Sequence, residues 1–291
     1  MDVRRVLAIA VGLLVLAGCS GGGTAAEPSA SPATSTARTP LRYVALGDSY
    51  TSGPSIPQQM PASFLCLRSD HNYPHLLAER LGATSFVDVS CAGATTASVR
   101  SSQAASVDSD TDLVTLGIGG NDANLFATML RTCARVAQDD VGGAPCENAL
   151  GAGTADALDA IGANVESTLR DLQGRAPSAR LVLVGYPRIL PDTGTCRAVP
   201  FAAGDYAWAR TVEEGLDDSL AHAAAATGVS FVSVREASRG HDACAGDRAW
   251  VNGAVSDPSR ALAFHPFAVG MQGVANLLAH QLPPRERAVP R

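Results

Sequence analysis

What most constrains this chain is the alternation of two hydrophobic periods along it. Short apolar runs of strand character at 41–47, 84–90, 112–118, 180–185 and 229–234 are separated by stretches with helical spacing at 73–81, 124–137, 154–174, 205–226 and 268–281. Strands joined through helices pair in parallel, and their apolar faces need helices on both sides. The expectation is an α/β chain, with a five-stranded parallel sheet at the centre of a three-layer α/β/α sandwich. In such sheets ligands sit beyond the carboxyl ends of the strands. Two polar motifs fall there: Gly47-Asp48-Ser49 after the first strand and Gly119-Gly120-Asn121-Asp122 after the third.

The chain starts with Arg4 and Arg5, an apolar run to Ala17, and then Leu16-Ala17-Gly18-Cys19. This is the pattern of an export signal over residues 1–18 whose boundary matches a bacterial lipobox, with Cys19 as the acceptor of the lipid. The apolar run is short for a membrane span. From Ser20 to about residue 40 the composition is Gly, Ser, Thr, Ala and Pro, which reads as a flexible linker. A catalytic domain is expected over 41–283 and a short tail over 284–291. Six cysteines remain beyond Cys19, namely Cys66, Cys91, Cys133, Cys146, Cys196 and Cys244. An even set in an exported chain reads as three disulfides, with many possible pairings, among which the short loop from Cys133 to Cys146 is attractive. Close Cys-x-x-Cys pairs are absent and the histidines are scattered, so no metal is expected. The formal net charge is -6 and there is no basic cluster, which sets nucleic acid aside as a partner.

A hydroxyl becomes a nucleophile when a base takes its proton, and the oxyanion that follows needs preorganised donors. Ser49 follows a strand and a glycine, where its hydroxyl can project from a tight turn. Asn121 offers an amide donor beside two glycines that permit close approach, although an Asn-Asp turn capping a helix would look the same. Gly93, in Cys91-Ala92-Gly93-Ala94-Thr95-Thr96, can present a bare backbone N–H or can simply serve a turn. Of the six histidines, His265 stands out in Phe264-His265-Pro266-Phe267, just before a helix.

Taken in order, these blocks resemble those of the SGNH or GDSL hydrolases. The first is Gly47-Asp48-Ser49-Tyr50-Thr51-Ser52-Gly53, the second the Gly93 segment, the third Gly119-Gly120-Asn121-Asp122, and the last His265-Pro266 with Gly270. The resemblance implies an SGNH or flavodoxin-like fold and a serine esterase or lipase acting through an acyl-enzyme. Its site would be Ser49 as nucleophile, His265 as base, and an oxyanion hole from Ser49, Gly93 and Asn121, with no cofactor. Two alternatives stay beside it, a carbohydrate O-deacetylase of the same family and an inactive surface-anchored binding protein.

One position departs from the family pattern. Three residues before the histidine, where many members carry an acid, this chain has Leu262. The secreted, disulfide-containing branch implies a backbone carbonyl in that role, so the carbonyl of Leu262 is expected to orient His265, with Asp257 as the alternative. The same branch implies pairing of Cys66 with Cys91, Cys133 with Cys146, and Cys196 with Cys244. The expected protein is a monomer that takes ester substrates. It touches the membrane only through its N-terminal lipid, at the outer face of the cell, or is released.

Overall fold

The computed structural model describes residues 40–282. The expected signal peptide, Cys19, nearly all of the linker and the tail lie outside the described residues.

The strands are β1 (Arg42–Gly47), β2 (Ser85–Asp88), β3 (Leu113–Gly117), β4 (Arg180–Val184) and β5 (Ser230–Val232), all parallel in the order β2-β1-β3-β4-β5. The three central strands are apolar almost throughout because both of their faces are covered. The register sets Tyr43 opposite Phe86 on one side and Leu113 on the other, and Leu113 opposite Arg180. The edge strands are shorter than their apolar runs suggest, for a local reason in each case. Asp88 accepts from the N–H and hydroxyl of Ser90 and turns the chain out of the sheet. Ser233 accepts from the Glu236 N–H and starts a helix.

The helices are α1 (Ser49–Ser52), α2 (Tyr73–Leu81), α3 (Thr96–Ser101), α4 (Leu125–Val136), α5 (Pro145–Leu150), α6 (Thr154–Arg175), α7 (Asp205–Thr227), α8 (Val234–Ala237) and α9 (Ala268–Gln281). Strand residues alternate between two cores. Val44, Leu46, Val114, Leu116, Leu181 and Leu183 pack against α3, α6 and α7. Tyr43, Ala45, Leu113, Val182 and Val184 pack against Leu77 of α2 and Met271, Val274 and Leu278 of α9. Helices therefore cover both faces, and α9, the last element, is held beside the first strands.

A third core lies among the loops. Met129, Cys133, Cys146, Ile189, Val199, Phe201, Tyr206, Val251 and Phe264 bury one another there. Two disulfides, Cys133–Cys146 and Cys196–Cys244, staple this cluster, and Cys66–Cys91 joins the segments after β1 and β2. Long connections are thereby held in fixed positions relative to the sheet, which is what a site built on loops requires.

The turn out of β1 depends on close approach. A Cβ on Gly47 would lie 2.2 Å from Thr51 Oγ1 and 2.6 Å from the Gly117 carbonyl. The backbone of Gly47 is also clamped at two points, its N–H donating to Gln103 Oε1 at 2.8 Å and its carbonyl accepting from Gln103 Nε2 at 2.9 Å. Gly47→Ala should therefore destabilise the fold by about 1–3 kcal/mol, read as a lower urea midpoint at an unchanged slope. An unchanged midpoint would contradict the packing described here.

Candidate active site

Ser49 is the first residue of α1. The Asp48 carboxylate caps that helix by accepting from the Tyr50 N–H at 2.8 Å, and Ser49 itself is 8% exposed. His265 reaches it from the loop before α9, with Nε2 at 2.9 Å from Ser49 Oγ. Its other ring nitrogen, Nδ1, lies 2.8 Å from the carbonyl of Ala263. A carbonyl only accepts, so this contact places the proton on Nδ1 and leaves Nε2 as the acceptor facing the serine hydroxyl. Burial holds the imidazole below the usual histidine range, and the hydrogen bond to Ala263 works weakly against that shift.

The orienting carbonyl is thus that of Ala263, which corrects the expectation of Leu262. The carbonyl of Leu262 is otherwise engaged, accepting from the backbone N–H of His265 at 3.1 Å and from Asn252 Nδ2 at 3.1 Å. The first of these bonds closes a tight turn through Ala263 and Phe264, with Phe264 at a φ of 60°. That turn aims the preceding carbonyl at the ring. Asp257, the alternative, accepts from the N–H and hydroxyl of Ser259, which hold its carboxyl below the usual range, and its backbone pairs with Ala261.

Asn121 lines the same cleft as Ser49 and His265. One N–H of its amide is donated to the Ala94 carbonyl at 3.0 Å, which fixes the side chain and leaves the second N–H free to point elsewhere. Next to it, buried Asp122 accepts from the N–H and hydroxyl of Thr96, at 2.9 and 2.5 Å, tying the loop after β3 to the start of α3. Gly93 occupies an exposed turn at a φ of 79°, between the Cys66–Cys91 disulfide and Ala94. It is not among the residues lining the cleft. The structure therefore gathers Ser49, His265 and Asn121, with Gly93 attached through its neighbour Ala94.

Two other polar groups of the site, Tyr186 and Glu213, carry no motif. Tyr186, after β4, donates to Asp48 Oδ2 at 2.5 Å and accepts from the Gly120 N–H at 2.9 Å, so one phenol joins the turn after β1 to the Asn121 loop. Burial pushes the Asp48 carboxyl up to about 7, against the hydrogen bonds from Tyr186 and Tyr50. The Tyr50 hydroxyl donates to the Phe264 carbonyl, and its ring lies 5.1 Å from that of His265. Glu213, buried in the cleft wall and pushed up to about 8 by burial, accepts from the N–H groups of Ile189 and Leu190. The signal missing from the sequence is spatial, since these partners lie far apart along the chain.

The cleft is walled by Phe126, Ala127 and Leu130 of α4 together with Ile189, Leu216 and Phe264. Among the described residues no group of His, Cys, Asp and Glu is arranged to hold a metal ion.

Residues 45–272 match the model of the GDSL-like lipase/acylhydrolase family. Lipase 2 of Streptomyces coelicolor is 37% identical over 289 residues, covering 94% of this chain and 95% of that protein. A lipase of Streptomyces rimosus is 33% identical over 228 residues, covering 78% of this chain and 81% of its own length. Among solved structures, phospholipase A1 from Streptomyces albidoflavus superposes with a TM-score of 0.75 at 31% identity, over 84% of this chain and 100% of that one. The extracellular lipase from Streptomyces rimosus gives 0.72 at 31%, over 82% and 99%.

The geometry around the imidazole has two measurable consequences. Asp257→Ala should leave kcat on a dissolved p-nitrophenyl ester within about twofold, whereas a loss of about a thousandfold would restore a triad acid. In Asp48→Asn, where the neighbouring carboxyl no longer titrates, kcat/KM should fall toward acid with a midpoint below 6.5, because the neutral imidazole is the competent form and burial favours it. A midpoint above 6.5 would mean that a negative charge, not a carbonyl, faces the ring.

Proposed function

The chain belongs to the GDSL-like lipase/acylhydrolase family and is a serine hydrolase of carboxylic esters, and within that activity we propose that Ser49 is the nucleophile and His265 its general base. The observation carrying this reading is the relay from the Ala263 carbonyl through Nδ1–H and Nε2 to the Ser49 hydroxyl. Ser49 Oγ attacks the ester carbonyl carbon as its proton passes to His265 Nε2. The oxyanion is met by the N–H of Ser49, in the first helical turn where backbone donors lack intrahelical partners, by the second amide N–H of Asn121, and by the N–H of Gly93, which adjoins the cleft through Ala94, whose carbonyl holds the Asn121 amide. Collapse of the tetrahedral species breaks the bond to the alcohol oxygen, which takes the proton from His265. Water, deprotonated by the same imidazole, then attacks the acyl-enzyme and releases the acid with Ser49 restored.

The apolar wall formed by Phe126, Leu130, Ile189 and Leu216 suits an aliphatic acyl chain better than a sugar. The neutral Ala263 carbonyl fixes the tautomer while adding no charge to balance the imidazolium. Two further readings rest on the N-terminal residues. Residues 1–18 act as a lipoprotein signal, and Cys19 carries the lipid that tethers the domain to the outer face of the membrane. The three disulfides support an oxidising compartment outside the cytoplasm. The domain works as a monomer, without a cofactor.

Ser49→Ala should abolish turnover of a short-chain p-nitrophenyl ester, and residual activity above about a tenth would reject the nucleophile. Asn121→Ala should lower kcat by about a hundredfold or more with KM little changed. A loss confined to KM would remove Asn121 from the oxyanion hole.

A further inference from the structure

The segment after α1 bears apolar side chains that nothing among the described residues covers. Phe64 is 74% exposed, Leu65 86% and Leu67 37%, all within four positions. Such a contiguous cluster is unusual on a soluble surface and marks a binding surface when the backbone beneath it is rigid. Here it is. The Met60 N–H donates to the Arg68 carbonyl at 2.8 Å, and Gln59 pairs with Ser69 in an antiparallel bridge. The Ser69 N–H is fixed to the carbonyl of Ser52 in α1, and Cys66 is joined to Cys91 by a disulfide while its carbonyl accepts from the Ala92 N–H. The tip thus projects from a stiff base whose attachments are the nucleophile helix and the Gly93 segment.

Its charge pattern indicates the occupant. From Pro54 to Ser69 the only charged residue is Arg68, in a chain whose formal net charge is -6. Arg68 sits half-buried at the root of the loop, and its Nε is enclosed there without a hydrogen-bond partner among the described residues. Asp70, two positions further along the chain, is engaged with His71. An apolar tip above a cation is the arrangement that a phospholipid surface satisfies, with acyl chains meeting the tip and phosphates meeting the base.

We propose that the loop bearing Phe64, Leu65 and Leu67 inserts into a phospholipid surface and sets the mouth of the Ser49 cleft against aggregated ester. The inference rests on the ester-hydrolase reading of that cleft and names the physical form of its substrate. The loop leaves α1 at the carboxyl end of β1, so insertion brings the nucleophile end of the sheet toward the lipid. The loop takes no part in the chemistry, and dissolved esters reach Ser49 without it.

The test compares one variant on two substrate forms. Phe64→Ser combined with Leu65→Ser should raise the apparent KM on phosphatidylcholine vesicles about tenfold, while kcat/KM on dissolved p-nitrophenyl acetate stays within about twofold. Equal losses on both substrates would make the loop part of the fold or the catalytic machinery and overturn the proposal; no loss on either would overturn it as well. A wild-type protein inactive on dissolved ester would instead reject the esterase reading. A local probe, independent of any N-terminal lipid, is Phe64→Trp, whose emission should shift to the blue on adding phosphatidylcholine vesicles. An unshifted emission contradicts insertion, as does a concentration-dependent dimer that the double variant abolishes, which would give the patch to a second copy.

Discussion

The contact between His265 Nε2 and Ser49 Oγ, 2.9 Å across 216 positions of sequence, is what the remainder of the molecule arranges. Neither side chain can find the other through local structure. The parallel sheet solves the first half of the problem by delivering β1 and its turn to one end of the sandwich. Packing of α9 against α2 and the strands solves the second half, because the loop before α9 then arrives at that same end. An ester hydrolase of this kind needs its charge-handling groups preorganised before substrate arrives, and here the preorganisation is inherited from the core.

Close around that contact, fixed backbone does the positioning. Gln103 clamps Gly47, Asp48 caps α1, and the Tyr186 phenol ties Asp48 to the Gly120 N–H. Tyr50 holds the Phe264 carbonyl and lies beside the imidazole ring. The turn through Ala263 and Phe264 then supplies a neutral acceptor to Nδ1 where an acid would otherwise stand. A carbonyl sets the tautomer through geometry alone, so burial dominates the ionisation of His265 and keeps the ring in its basic form toward lower pH.

The central strands were legible in the sequence because β1, β3 and β4 are buried on both faces and so consist of nearly unbroken apolar residues. The longer helices α2, α4, α6, α7 and α9 carry enough turns for their period to emerge. The short helices α1, α3, α5 and α8 do not, and Ser90 and Ser233 shortened the edge strands through side-chain bonds that no periodicity reports. At the site, Ser49, Asn121 and His265 stood out because each follows a glycine-marked turn or precedes a helix. Leu262 was the wrong carbonyl by one residue, a difference set by the positive φ at Phe264. Tyr186 and Gln103 bear no motif, and their roles exist only once β4 has paired with β3 and the segment after α3 has packed against β1.

The most direct measurement is the rate at which a fluorophosphonate modifies the protein, followed by mass analysis of the peptides. The account predicts a single adduct on the peptide carrying Ser49, formed at neutral pH and slowed by orders of magnitude in His265→Ala. An adduct on another serine, or an equal rate without the imidazole, would contradict it.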